Sequence, residues 1–190
     1  MIHKIAIFAS GNGTNAQRIS EYFEKVQQIK VSLILTNNKD AFVIERAKQL
    51  NIPCIIFAKS EMEQSDILLK KLKDNNIDWI VLAGFLLKIP EYLIRAYPNH
   101  IINIHPALLP KYGGKGMYGE KVHYAVIANK EAESGITIHY VNEVYDEGEI
   151  IFQVKTSIEK HDTPETLAKK IHKLEYEFFP KVIKDVIDAN

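Results

Sequence analysis

The sequence predicts one α/β domain whose sheet is mostly parallel, with helices on both faces and an antiparallel C-terminal part. Three observations carry that expectation. Short Ile- and Val-rich runs alternate with segments of helical period, and a glycine-rich turn follows the first run directly. Beyond residue 106, two further strand-like runs are joined by a polar loop rather than by a helix.

The runs KIAIFAS (4–10), KVSLILT (30–36), IPCIIFA (52–58) and IDWIVLAGF (77–85) do not alternate polar with apolar residues, so each reads as a strand buried on both faces. Between them, NAQRISEYFEKV, DAFVIERAKQL and SDILLKKLKDNN repeat apolar residues at three- and four-residue intervals, the pattern of amphipathic helices. Such repetition implies parallel pairing through right-handed crossovers. IINIHP (101–106) is the fifth strand. KYGGKGMYGE (111–120) has the composition of a mobile loop, and EKVHYAVIANKE returns to helical period. SGITIHYV and GEIIFQVKTSI bracket NEVYDE (142–147), as an antiparallel pair would. TPETLAKKIHKLEYEFFPKVIKDVID (163–188) reads as one long helix. Thr163 suits its N-cap and Pro164 its first position, while Pro180 is expected to kink or interrupt it.

A chain of 190 residues can bury a core of its own, so one domain is expected over 1–190. Acidic and basic residues cancel at 24 each, so no global field recruits nucleic acid or an anionic membrane. No uncharged apolar run approaches the roughly 18 residues of a membrane span. MIHKIAIF lacks the layout of a signal peptide, and a cytoplasmic protein is expected. Cys54 is the only cysteine, which excludes an internal disulfide and a cysteine-based zinc site; within IPCIIFA it reads as inert packing.

SGNGTNAQR (10–18) runs from the first strand into a helix. Gly11 and Gly13 let successive N–H groups converge on an anion, and the helix N-terminus adds positive potential. Ser10, Asn12, Thr14 and Asn15 add polar side chains, so phosphate binding is expected. The structural alternative is a tight turn in which Thr14 or Asn15 caps the helix. Gly11-x-Gly13-x-x-Ala16 also satisfies the relaxed dinucleotide fingerprint, which keeps an NAD(P)-dependent reductase as an alternative. That reading wants an acid at the end of the second strand, where Thr36, Asn37 and Asn38 stand instead. A non-catalytic nucleotide-binding module is a further alternative.

In NIHPALLP (103–110), residues two apart on an extended backbone share a face, so Asn103 and His105 point the same way. Pro106 holds His105 extended, at the carboxyl end of its strand. An amide donor beside an imidazole is what a developing oxyanion needs, and the imidazole also carries protons. A carboxylate partner would favour the protonated imidazole and raise its pKa. NEVYDEGEI (142–150) offers Glu143, Asp146, Glu147 and Glu149, among which spacing does not choose. His3, His100, His123, His139, His161 and His172 are weaker candidates by position. No histidine pair has metal-ligand helix spacing with a carboxylate, so no metal site is expected.

Together, IAIFASGNGTN, VLAGF, INIHPALLPKY and NEVYDEGEII closely resemble the phosphoribosylglycinamide formyltransferases, within the wider family of formyl-tetrahydrofolate transferases and hydrolases. The resemblance covers nearly the whole chain. The extra C-terminal domain of similar methionyl-tRNA formyltransferases and the extra N-terminal domain of similar hydrolases do not fit in it. It implies a Rossmann-like formyltransferase fold, with a nucleotide-phosphate half over about 1–100 and a catalytic and folate half over about 101–190. It implies formyl transfer from 10-formyltetrahydrofolate to glycinamide ribonucleotide, by a monomer or homodimer with small-molecule partners only and no metal. Asn103, His105 and Asp146 fall on the family's catalytic positions. Gly11, Asn12, Gly13, Thr14, Asn15 and Glu175 fall on its ribonucleotide contacts. Leu86, Leu87, Lys88 and Ile89, with Asn142, Glu143, Val144, Tyr145 and Asp146, match the walls that hold the pterin, alongside Asn103. Two departures are visible: Leu86-Leu87 replaces a commoner Met-Arg, and GGKGMYGE replaces a Pro-Gly loop with a histidine.

Overall fold

A computed structural model describes residues 2–190, the side chains of 65 and 66 excepted. Its strands are β1 (His3–Phe8), β2 (Ile29–Thr36), β3 (Cys54–Ile56), β4 (Trp79–Leu82), β5 (Ile101–His105), β6 (Glu133–Tyr140) and β7 (Ile150–Ser157). Its helices are α1 (Thr14–Phe23), α2 (Val43–Gln49), α3 (Lys59–Glu63), α4 (Ser65–Asp74), α5 (Glu91–Ala96), α6 (Glu120–Ala128) and α7 (Pro164–Asp188). One seven-stranded sheet runs β3-β2-β1-β4-β5-β6-β7. The pairs from β3 to β5 are parallel, and β5–β6 and β6–β7 are antiparallel, as the change of pattern after residue 106 predicts.

The apolar runs form strands because they are covered on both sides. One core packs Ile5, Ile7, Trp79 and Val81 beneath α1, α2, α6 and α7. A second sets Ala6, Phe8, Ile80 and Leu82 against Met62, Leu68, Leu72 and Leu93 of α3, α4 and α5. Strands are shorter than their apolar runs: IPCIIFA yields only Cys54–Ile56, and IDWIVLAGF stops at Leu82. Cys54 is partly buried against the first core, and burial pushes its thiol above the ordinary value. The short helices α3 and α5 carry too few turns to announce themselves by period.

At α7, Thr163 accepts the Thr166 N–H at 3.3 Å, and Pro164 opens the helix, both as expected. Pro180 does not interrupt the helix; α7 runs unbroken through it. An interior proline costs about 3 kcal/mol. Phe179, Val182, Ile183 and Ile187 are all buried around it, and burial of each such side chain returns roughly 1.5–3 kcal/mol. Packing therefore wins over local preference. Among the described residues, no helix is long and apolar enough to cross a membrane.

Candidate active site

The chain leaves β1 toward β2 on one side, and later places β4 on the other. Such a reversal opens a crevice beyond the carboxyl ends of the strands, where open α/β sheets bind ligands. Here it holds a cavity of about 340 Å³. Gly11, Asn12, Gly13, Thr14 and Asn15 line it, together with Asn103, His105, Asp146, His172 and Glu175.

Gly13 is the N-cap of α1, at φ 73 and ψ 23, a left-handed conformation that glycine adopts at no steric cost. A Cβ there would also run into Val43. Among the described residues no side chain caps this helix end, so neither Thr14 nor Asn15 plays that part and the terminal N–H groups stay available to an anion. The loop is braced from α2. Val43 N–H donates to the Gly11 carbonyl at 3.1 Å. Arg46 donates to the Asn12 carbonyl at 2.8 Å and to Asn12 Oδ1 at 2.6 Å. Ser10, expected to face a ligand, serves the scaffold instead: its Oγ donates to Asn37 Oδ1 at 2.7 Å and accepts the Leu86 N–H at 3.0 Å. Asn37 thus closes the end of β2 onto the loop, where a ribose-gripping acid would have been needed for a nicotinamide cofactor.

Asn103 and His105 stand at the end of β5, and Asp146 reaches them from the loop between β6 and β7. His105 is 3% exposed. Its Nε2 lies 2.7 Å from the Tyr112 carbonyl, which requires Nε2–H to donate and leaves Nδ1 to exchange protons. Nδ1 faces Asp146 Oδ2 at 3.6 Å. The Gly114 N–H donates to Asp146 Oδ2 at 2.9 Å, so the first part of the glycine-rich 111–120 loop is tied into the site. Tyr112 (φ 59) and Asp146 (φ 56) both hold left-handed backbone angles that non-glycine residues seldom adopt. Both contacts to His105 therefore rest on strained backbone.

Electrostatics corrects one expectation. Asp146 does favour protonated His105, as does the Tyr112 carbonyl, but desolvation is larger and holds the imidazole below its ordinary value. Desolvation is the largest influence on Asp146 and alone would raise it; the polar groups around it, the Gly114 N–H among them, hold its carboxyl below the usual value. The resting pair is a neutral imidazole beside a carboxylate.

Glu175 is 5% exposed on α7. Its Oε2 accepts from Asn15 Nδ2 at 3.0 Å and from His172 Nδ1 at 2.9 Å. A carboxylate is thereby fixed beside the glycine loop, with His172 raised above its ordinary value chiefly by that bond. Leu87, Lys88, Ile89, Asn142, Val144 and Tyr145 line a smaller adjoining pocket of about 70 Å³, which shares Asn103 and Asp146 with the cavity. Leu86 lines the larger one. Lys88 Nζ lies 5.9 Å from the centre of the Tyr145 ring, joining the two segments. Leu86 and Val144 are half exposed, an apolar rim suited to a flat ring. Glu143 lies exposed in the same loop and lines neither pocket.

Two histidines carry more than their positions announce. His139 is 2% exposed and sits directly opposite Asn103 in the β5–β6 register. Its Nδ1 is 2.8 Å from the Tyr140 carbonyl and so bears the proton, leaving Nε2 to accept from Asn103 Nδ2 at 3.0 Å. The pairing of IINIHP with SGITIHYV is the one signal that could have placed it. His123 of α6 also lines the cavity.

Residues 3–183 match the family model described as formyl transferase. A phosphoribosylglycinamide formyltransferase of Bacillus subtilis is 37% identical over 98% of this chain and 96% of its own length. The chloroplastic phosphoribosylglycinamide formyltransferase of Arabidopsis thaliana is 42% identical over 95% of this chain, which spans 64% of that protein's length. The crystal structure of the Streptococcus pneumoniae phosphoribosylglycinamide formyltransferase superposes with a TM-score of 0.87 at 35% identity, covering 98% of this chain and 99% of that one. By sequence over nearly its whole length, and by fold, the chain belongs to the formyl transferase family.

Proposed function

We propose that the protein transfers the formyl group of 10-formyltetrahydrofolate to the amine of 5-phosphoribosylglycinamide, giving the formylglycinamide ribonucleotide and tetrahydrofolate in purine synthesis. The observation that carries this reading is the convergence of an amide, a neutral imidazole and a carboxylate in the same cavity as an uncapped helix N-terminus. The glycine loop suits the phosphate, Glu175 suits the sugar, and the rim of Leu86 and Val144 suits the pterin. The site as a whole then draws on both halves of the chain.

In this reading Asn103 and His105 flank the formyl carbon. His105 accepts a proton at Nδ1 as the glycinamide nitrogen bonds to that carbon, and Asp146 stabilises the imidazolium. The Asn103 N–H not bonded to His139 donates to the developing oxyanion, joined by the imidazolium. His105 then returns the proton to the folate nitrogen as its bond to carbon breaks, so proton and electron pair both balance. Small-molecule partners, no nucleic acid or membrane, and a cytoplasmic location belong to the same reading.

A spectrophotometric assay with purified protein, the ribonucleotide and 10-formyltetrahydrofolate tests it, with production of tetrahydrofolate expected. Thermal protection by NAD(P)H but not by a folate analogue, without transfer, overturns it in favour of a reductase. Ligand binding without transfer under any folate form reduces the protein to a binding module.

A further inference from the structure

One side chain in the cavity has no part in this scheme. His123 is 3% exposed and its ring lines the cavity; its Nδ1 is fully buried without a hydrogen-bond partner among the described residues, which leaves Nε2 as the nitrogen that can meet a ligand. Its flanking residues Val122 and Val126 on α6 go into the core. An aliphatic residue at 123 would close that wall without a desolvated nitrogen. An imidazole nitrogen left unpaired and open on a cavity calls for a ligand atom.

The neighbours narrow the ligand chemistry. The charged and titratable groups that act on His123 are His172 and Glu175 on α7 and His105 on β5. Burial comes first and His172 next in holding the ring below its ordinary value, so it is neutral when its neighbours are at work. A phosphate dianion calls for a cation, which this ring is not. A neutral imidazole donates at one nitrogen and accepts at the other, which matches a hydroxyl. Glu175 lines the same cavity as an acceptor, already oriented by Asn15 and His172. An acceptor carboxylate beside a neutral imidazole suits the paired hydroxyls of a ribose.

We infer that His123 hydrogen-bonds a hydroxyl of the substrate's ribose beside Glu175, and thereby selects ribose over deoxyribose. This rests on the ribonucleotide reading above. The test assays the full chain with glycinamide ribonucleotide and its 2′-deoxy and 3′-deoxy analogues, comparing wild type with His123→Leu and His123→Gln. Loss of one hydrogen bond predicts that His123→Leu raises KM for the ribonucleotide about tenfold. It leaves the KM for 10-formyltetrahydrofolate unchanged, and it erases discrimination against one deoxy analogue. His123→Gln, whose amide falls near the position of Nε2, recovers most of the loss, and neither variant unfolds at a lower temperature. The inference is overturned if His123→Leu keeps the wild-type KM, if the KM values for both substrates rise together, or if wild type accepts both deoxy analogues as readily as the ribonucleotide. A wild-type protein that transfers no formyl group at all overturns the function reading itself, and this inference with it.

Discussion

Asn103 Nδ2 donates to His139 Nε2 at 3.0 Å across the antiparallel pair of β5 and β6. Because His139 Nδ1–H is engaged by the Tyr140 carbonyl, only one of its nitrogens can accept, and the Asn103 amide is held in one orientation. Its second N–H is then aimed by the sheet rather than by a rotamer choice of its own.

Replacing His139 by Leu lets that amide turn. The expected loss in kcat is about tenfold, smaller than the 10²–10³ typical of deleting an oxyanion donor outright. Combined with Asn103→Ala, the two losses should not multiply, since one acts through the other. Steady-state kinetics on the four proteins of the cycle decides it; multiplicative losses mean that His139 does not act through Asn103.

Asn103→Ala and His105→Ala should each lower turnover by on the order of 10²–10³ while folding normally. Near-wild-type turnover in either, with an unchanged circular dichroism spectrum, removes that residue from the chemistry.

His105 must be neutral to accept the proton, so kcat/KM rises with pH along an acid limb centred below the ordinary histidine value of 6.5. Asp146 favours the protonated ring, so Asp146→Asn should move that limb to still lower pH while lowering the maximum rate. A limb that moves upward contradicts the electrostatic assignment.

Acid stability follows from burial. Desolvation holds both His105 and His123 below 6.5, so the unfolded chain takes up protons that the folded chain refuses. Their contribution is present above that value and is lost as pH falls below it. His172, raised chiefly by its bond to Glu175, acts oppositely, stabilising at low pH and losing that contribution as pH rises through its raised value. In His123→Leu the fall in Tm from about pH 7 to about pH 5 should therefore be shallower than in wild type. An unchanged slope argues that His123 is already solvated.

Gly13→Ala combines a left-handed φ with a collision at Val43. It should destabilise the fold by on the order of 1–3 kcal/mol and weaken ribonucleotide binding more than folate binding. Urea titration and separate KM values check both halves of that statement.

The parts of the site that sequence made legible are the local ones. Gly11 to Asn15 and the pair Asn103 and His105 each lie within a few residues, where backbone geometry alone fixes which side chains face together. Asp146 was one acid among four until family resemblance chose it; its bond from Gly114 and its approach to His105 depend on a loop folding across from residues 111–120. Glu175 looks like any solvated helical acid until α7 lies beside the glycine loop. Strand pairing is equally non-local, which is why His139 passed for an ordinary alternating residue. The expected rise in the His105 pKa failed for a related reason: a charge partner can be read from the chain, whereas the depth of burial cannot. Pro180 reads locally as a helix breaker, and the burial of Phe179, Val182, Ile183 and Ile187 that keeps α7 continuous is not local.

The Asn15–Glu175 bond joins positions 160 residues apart. A ribosome releases the glycine loop 160 residues before the residue that completes its wall. A nascent chain thus carries half a binding site over that interval, and no small molecule held by both can act as a folding template until α7 has emerged and docked. Ligand rescue of poorly folding variants should accordingly work after translation and fail during it.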